Sequence, residues 1–389
     1  MSLVPAHLIE SRWYDALSRL ECGSLRFAAP NGEVRLFAGP NPGPDADFRI
    51  RDWSVLRHAA SRGDIALGED YIEGAWDTDS IENLIALFLV NLDRIDGFAH
   101  GSLLQRLGFM LRNRVIRRNS VSGSKRNIKD HYDVGNEFYR LWLDDTMTYS
   151  SALFDSPGLD LTGAQYRKYE RILDKFTKDR ASVLEIGCGW GGFAESAVKR
   201  DHDVTGITIS PAQHHYAVDR LKGAAEIRLE DYRSVKGAFD MIVSIEMFEA
   251  VGERYWGRFF DTAAQRLKRG GRAVIQTITI RDEFFPAYRS RSDFIRHYVF
   301  PGGMLPSLKR FREEAEGAGL RVADVFSFGQ DYAKTLRTWS ARLSACESEV
   351  RALGHNNGFL RNWQFYLGMC AASFAVGRTD VMQVELGHA

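Results

Sequence analysis

The sequence is short of the residues that would mark a disulfide-held, metal-held or membrane-spanning protein. Only four of its 389 residues are cysteine, and Cys22, Cys188, Cys346 and Cys370 are scattered, with no CxxC pair and no histidine cluster at metal-ligand spacing. This excludes a disulfide scaffold and a zinc module, and fits reduced thiols in a cytoplasmic protein. No stretch reaches the ~20 apolar residues of a membrane span. In the opening MSLVPAHLIESRWYDAL, charges interrupt every apolar run before a signal-peptide core can form. No charge of one sign dominates either: 51 Lys and Arg balance 51 Asp and Glu. The balance implies no nucleic-acid partner, and any electrostatic targeting must come from a local patch. No internal repeat is present.

What is there is enough apolar material, 44%, for packed cores, in a chain longer than one typical domain. Residues 5–20 carry apolar positions at helical spacing. Ser24–Phe27 and Val34–Phe37 read as a short strand pair, and Gly39–Asp47, GPNPGPDAD, as a turn cluster that continues neither element. Trp53–Leu67 and Ser80–Leu92 have amphipathic helical patterns. Residues 1–110 are therefore expected to form a small, mostly helical α+β domain. A basic stretch follows at 111–129, where Arg112, Arg114, Arg117, Arg118, Lys125, Arg126 and Lys129 surround a polar NSVSGS run. It reads as an interdomain linker, and equally as an electrostatic contact to anionic lipid headgroups, worth ~1 kcal/mol per well-placed charge.

From 130 to 389 the expectation is an α/β domain. Strands are predicted at Ser182–Ile186, Asp203–Ile209, Glu226–Leu229, Phe239–Ile245, Arg272–Ile278, Arg321–Phe328 and Cys370–Val376. Amphipathic helices lie between them, at Ala212–Leu221, Arg254–Leu267, Leu305–Gly317, Ala333–Ala352 and Phe359–Leu367. Such alternation predicts a mostly parallel seven-stranded sheet covered on both faces.

In VLEIGCGWGG an apolar strand runs into Gly187, Gly189 and Gly191, then a helix. The first two glycines permit a tight turn and close approach of backbone to a ligand; the third opens the helix. The spacing is GxGxG rather than the dinucleotide GxGxxG, and Glu185 precedes it in the strand. That form suits the amino acid end of S-adenosylmethionine rather than a pyrophosphate. Thr208 and Gln213, at the end of the second strand, stand where a ribose would lie. Asp231 and Tyr232, after the third, offer an acid and an aromatic face to an adenine. Helix capping is the competing role for Thr208 and Asp231.

These segments resemble one family: the cyclopropane-fatty-acyl-phospholipid synthases and related mycolic acid cyclopropane synthases. The matching runs are DHYDVGNEFYRLWLD (130–144), the Tyr149-Ser150 pair, VLEIGCGWGG, GITIS, EDYR, SIEMFEAVG (244–252), FPGGMLPS (300–307) and DYAKTL (331–336). IALGEDYIEGAWD (65–77) resembles the family's lipid-binding domain. The resemblance implies a Rossmann-like methyltransferase fold, with S-adenosylmethionine as methyl donor, held in part by Tyr149 and Ser150. It implies as substrate a cis double bond in an unsaturated phospholipid acyl chain, at the inner face of the membrane. It also admits a homodimer. An isolated alkene is a feeble nucleophile, so orientation and water exclusion must supply much of the catalysis. Aromatic walls can stabilise the resulting cation. The candidates are Tyr132, Phe138, Tyr139, Tyr149, Phe248, Tyr298 and Phe300, of which about half are expected to be plain core.

Ring closure needs a base, which the resemblance implies is a bound bicarbonate. Carried over by position, the anion's ligands are Glu249, Tyr332, Ile278, Ser151 in place of the family's cysteine, and Gln276 in place of its histidine. Ala250 stands where a histidine usually follows the glutamate. Gln276 can hydrogen-bond an anion but cannot carry a proton near neutral pH. Cys370 matches a cysteine discussed as catalytic, although an alkene needs no thiol and a buried apolar role suits it better. His131 is expected to position substrate, with Tyr298 and Phe300 along the acyl chain. Two alternatives stand beside cyclopropane formation. One is methylation without ring closure, giving methyl-branched or methylene-bearing chains as in 10-methyl or furan fatty acid pathways. The other is a non-catalytic lipid-binding homologue. Methylation of a soluble small molecule would leave the lipid-domain resemblance unexplained.

Overall fold

The computed structural model describes residues 6–95 and 134–389; the basic tract 111–129, His131 and Tyr132 lie outside the described residues. The N-terminal part is a four-stranded sheet of order β2-β1-β3-β4, built from β1 (Cys22–Ala28), β2 (Val34–Ala38), β3 (Asn41–Ile50) and β4 (Trp76–Asp77). Four helices accompany it: α1 (Ala6–Leu17), α2 (Ser54–Arg62), α3 (Asp64–Ile72) and α4 (Ile81–Val90). Alternation in β1 buries Leu25 and Phe27, and Trp13 of α1 meets Phe27 edge-on at 5.9 Å. Two expectations are corrected here. Asn41–Asp47 is not a turn but the first part of β3, parallel to β1. Pro42 and Pro44 fit because β4 pairs only with Arg49 and Ile50, leaving the proline stretch without a partner on that side. The helix expected over 53–67 is broken at Gly63, whose φ of +62° starts a second helix at Asp64.

The larger part is a seven-stranded sheet of order β10-β11-β9-β8-β5-β6-β7. Its strands are β5 (Ser182–Ile186), β6 (Asp203–Thr208), β7 (Glu226–Leu229), β8 (Phe239–Ile245), β9 (Leu267–Ile280), β10 (Leu320–Ser327) and β11 (Thr379–His388). The ladder from β9 to β7 is parallel, and β11 is antiparallel to both its neighbours. Central strands are buried on both faces, which is why they read as continuous apolar runs. The strand expected at Cys370–Val376 does not exist: those residues close the helix Asn357–Ala375, and Thr379–His388 supplies the last strand. A short apolar run cannot separate a strand from a helix buried on most sides. The long helix expected over 333–352 is likewise two, Gly329–Ala345 and Glu347–Ala352.

One apolar core joins the two parts, running from Trp13, Phe48 and Trp76 through Phe365 to Trp363 and Trp339. Arg361, on the helix Asn357–Ala375, donates to the carbonyls of Tyr71 (2.6 Å) and Trp76 (3.0 Å) and lies over the Tyr71 ring. Asp64 accepts from the Phe294 amide at 3.2 Å. At the seam, a Cβ on Gly68 would stand 2.4 Å from a ring carbon of Phe294. Glycine to alanine inside a helix ordinarily stabilises by up to ~1 kcal/mol. Here Gly68→Ala is expected to destabilise by roughly 1–3 kcal/mol through overpacking, read as a fall in the thermal unfolding midpoint.

Candidate active site

The carboxyl ends of β5, β6 and β8 enclose a cavity of about 200 Å³, where an open α/β sheet places its ligands. The glycine turn forms one wall. Gly187, Gly189 and Gly191 all have positive φ, +83°, +53° and +85°. A Cβ on Gly187 would strike Met247 at 2.7 Å, whereas Gly189 has open space in front of it. Gly191 does not line the cavity; it starts the helix Gly192–Val198 and faces Ala217 and Leu221 of the next helix. Glu185 is buried on the wall with one carboxylate oxygen, Oε2, lacking any partner. Burial raises its pKa to about 8, against the pull of Lys168. Such an orphaned acceptor fits a cationic ammonium. Thr208 Oγ1 donates to Gln213 Oε1 at 2.9 Å, and both line the cavity. Asp231 caps the turn Tyr232–Ser234 and is paired with the Arg233 guanidinium (2.6 Å). Tyr232 has a buried hydroxyl without a partner. Ser150 and Tyr149 close the opposite side: Ser150 Oγ accepts from the buried Lys168 ammonium (2.7 Å), and Tyr149 donates to Tyr366 (3.0 Å). Glycine cradle, orphaned acid and polar edge together fit S-adenosylmethionine.

A second, larger cavity of about 660 Å³ begins at the first and runs into the N-terminal part, bounded there by Trp13, Phe48, Phe88 and Leu89. The two share Tyr149, Glu246, Ala250, Phe300 and Gly303 as wall. Its size and apolar lining suit one extended hydrophobic ligand. Ile278, Tyr332, Tyr366 and Cys370 flank its inner end.

At the junction sit two carboxylates. Glu246, the residue after β8, has φ +49°, a left-handed conformation that residues other than glycine rarely adopt. Its Oε1 accepts from the Ser151 amide (2.8 Å) and Gln276 Nε2 (2.8 Å), and its Oε2 from the Tyr332 hydroxyl (2.5 Å). Glu249, one helical turn on, accepts through Oε1 from the Ile278 amide and from Thr277 Oγ1 (2.9 Å). Its Oε2 is buried without a partner. Desolvation, then repulsion from Glu246, raises Glu249 to about 8. Desolvation raises Glu246 too, opposed by Tyr332, Lys168, the Ser151 amide and Gln276. Near neutral pH Glu249 therefore keeps its proton, while Glu246 is the carboxyl of the two that its neighbours draw back toward the charged form.

The structure brings Ser151, Gln276 and Tyr332 together, but around Glu246 rather than around Glu249. Ile278 alone of the expected anion ligands turns to Glu249. All four donors assigned to a bicarbonate are thus engaged by the chain's own carboxylates, and they do not fit a free anion in this arrangement. Ser151 and Gln276 are fully buried behind Glu246 and line neither cavity. Cys370 is on the wall of the large cavity, its thiol held protonated by desolvation. Of the expected aromatic wall, Tyr149 and Phe300 line both cavities, while Phe138, Tyr139 and Phe248 are fully buried core. Tyr298 is a correction: 46% exposed, it lines neither cavity, and its hydroxyl donates to Glu69 of α3 at 2.6 Å. An aromatic beside a motif carries no sign of which way it faces. Glu246, Lys168 and Tyr366 were missed. Glu246 had a readable signal, a second acid at the carboxyl end of β8; the other two had none.

Comparison with known proteins gives a consistent result. The profile of the mycolic acid cyclopropane synthetase family matches residues 119–384. The tuberculostearic acid methyltransferase of Mycobacterium tuberculosis is 34% identical over 87% of this chain and 82% of its own. The cyclopropane-fatty-acyl-phospholipid synthase of Escherichia coli K12 is 32% identical over 88% of each. Among solved structures, the mycolic acid cyclopropane synthase CmaA1 complexed with SAH and CTAB superposes with a TM-score of 0.64 at 32% identity, covering 67% of this chain and 97% of that one.

Proposed function

The chain belongs to the mycolic acid cyclopropane synthetase family, and from that premise we propose that it converts cis double bonds of membrane phospholipid acyl chains to cyclopropanes. It is an S-adenosylmethionine-dependent methyltransferase that acts on lipid acyl chains, with the methyltransferase fold of its relatives. The observation that carries the finer reading is the meeting of the donor cavity and the long apolar cavity at Glu246.

When bound, S-adenosylmethionine supplies an electrophilic methyl group. The chain's own residues do the rest. Glu185, the Gly187–Gly189 backbone, Thr208, Gln213, Asp231 and Tyr232 hold the donor. The apolar tunnel orders the acyl chain and excludes water. Tyr149, Phe300, Tyr332 and Tyr366 present aromatic faces to the cation. As a carboxylate, Glu246 beside them stabilises the same positive charge. Among the described residues no helix is long and apolar enough to cross a membrane; in this reading the protein meets its lipid peripherally, at the inner leaflet.

One feature favours a second outcome, methylation without ring closure. Gln276 stands where the family's proton-carrying histidine is expected, so a proton lost from a neighbouring chain carbon, rather than from the new methyl, would leave a methyl-branched alkene. The experiment uses methyl-labelled donor and vesicles of monounsaturated phospholipid. Release of S-adenosylhomocysteine with a product that resists mild hydrogenation and ozonolysis supports the ring. A product cleaved by ozone supports the alkene, and no release at all would sink both in favour of a lipid-binding homologue.

The tunnel makes its own prediction. Leu89 of α4 lines its far end. Leu89→Trp is expected to lower activity on 18-carbon chains about 10-fold relative to 14-carbon chains, measured as S-adenosylhomocysteine release from matched vesicles. Equal losses on both chains would place the acyl tail elsewhere.

A further inference from the structure

The donors gathered at the cavity junction already hold an anion, and it is covalently part of the chain. We propose that Glu246 is the catalytic base: its carboxylate occupies the seat of a dissolved bicarbonate and takes the proton released after methyl transfer. The proposal rests on the acyl-chain methyltransferase reading above.

Three independent elements aim at this one carboxylate. The Ser151 amide comes from the loop after Tyr149, Gln276 from β9, and Tyr332 from the helix Gly329–Ala345, at 2.8, 2.8 and 2.5 Å. The Gln276 amide is itself oriented, because Gln383 on the paired strand β11 donates to its Oε1 at 3.1 Å, turning Nε2 toward Glu246. The backbone accepts a left-handed φ of +49° at Glu246 to deliver the side chain there, and its amide is secured by the Gln276 carbonyl at 2.8 Å. Strain of this kind, of order 1 kcal/mol, persists where the surroundings over-determine it, and it clusters at functional sites. The same side chain lies on the wall of both cavities. The arrangement also accounts for Gln276. A tethered carboxylate needs only a partner that donates, and an amide donates at every pH, whereas a histidine does so only in the right tautomer.

The step balances without a co-reactant. The alkene π pair forms the new bond to the methyl carbon, and the carbon–sulfur pair leaves on sulfur. The neighbouring carbon is then cationic. A C–H pair of the added methyl becomes the closing ring bond, or a C–H pair of the adjacent chain carbon becomes a double bond. In either case the proton passes to Glu246 Oε2, which keeps a lone pair beyond the one used by Tyr332. It returns to water when product leaves.

The test compares wild type, Glu246→Gly and Glu246→Gln as full-length chains, with vesicles of monounsaturated phospholipid, in carbon-dioxide-stripped buffer and with millimolar bicarbonate. Two quantities are read: S-adenosylhomocysteine release, and the thermal midpoint of the lipid-free protein. Wild type is expected to be indifferent to bicarbonate in both. Glu246→Gly, which suits the left-handed backbone, is expected to fall about 100-fold and to recover at least about 10-fold with bicarbonate, its midpoint rising as the anion fills the seat. Glu246→Gln, which keeps the seat filled but cannot take a proton, is expected to be inactive and beyond rescue. Wild-type activity that collapses in stripped buffer, or a Glu246→Gly chain as active as wild type there, overturns the proposal. If wild type releases no S-adenosylhomocysteine with any vesicle, the methyltransferase reading fails and the base assignment falls with it. The midpoint then still tells whether the seat binds an anion. Should the glycine variant not fold, Glu246→Ala is read in the same way.

Discussion

Gly187→Ala is expected to weaken S-adenosylhomocysteine binding by about 10- to 100-fold, measured by titration calorimetry, and activity is expected to fall with it. Two effects add. An alanine held at φ +83° costs roughly 1–2 kcal/mol relative to glycine. The new methyl would also stand 2.7 Å from Met247 Cγ and 2.8 Å from its Cβ, atoms too close to the main chain to swing away. Met247 is the neighbour of Glu246, so relief of that clash displaces the carboxylate as well as the donor wall. Gly189 is the internal control. Its φ of +53° lies in the left-handed region, but nothing stands within 4 Å of a Cβ there, so Gly189→Ala carries the backbone cost alone. Asparagine, which tolerates that region, should largely restore binding at 189 and not at 187. Equal losses at the two positions would mean that the turn's shape, and not its contact with Met247, governs the donor site.

The contrast between those glycines marks how far the sequence was legible. Strand-then-glycine spacing located the turn, and the parallel strands around it could be read because strands buried on both faces are continuous apolar runs. The same rule failed at Cys370–Val376, since a helix packed between α3, α4 and the helix Gly329–Ala345 is as apolar as a strand. It failed at Asn41–Asp47 for the opposite reason: prolines argue against a strand only where both edges are paired. In the site, residue types were legible and partners were not. Ser151, Gln276, Tyr332 and Ile278 were expected around one anion because the positions match the family. Which carboxylate they serve depends on the sign of φ at Glu246, and a single sequence does not carry that sign. Burial of Lys168 is equally invisible, as lysine is almost never enclosed unless paired. Here Ser150 Oγ and Gln165 Oε1 receive it, with the carboxyl groups of Glu246, Asp144 and Glu185 nearby.

Glu249→Gln separates what the second carboxylate does for the reaction from what it costs the fold. Glutamine keeps an oxygen for the Ile278 amide and Thr277, so local geometry survives, but the bare oxygen facing the tunnel becomes an amide. The titratable groups that act on Glu249 are Glu246, just beyond β8, and Tyr288 from the helix Phe285–Ser290. Tyr288 is shifted upward by burial and stays neutral, leaving Glu246 as the group whose charge matters. In wild type, ionisation of Glu249 with a pKa of about 8 adds a second negative charge beside the developing cation. Turnover is therefore expected to rise with pH through that value. Well above pH 8 the variant should be lower by about 10- to 100-fold, and it should lack this limb, since it has no proton to lose. Stability moves the other way. A carboxyl whose pKa is raised on folding gives its full stabilisation below the unfolded value, near pH 4.5, and loses it as pH rises through about 8. The variant escapes that loss. Its thermal midpoint should match wild type near pH 4.5 and exceed it by several degrees above pH 8, each 1 kcal/mol being worth about 1 °C for a chain of 389 residues. A variant that is slower and no more stable at alkaline pH would show that Glu249 is ionised throughout.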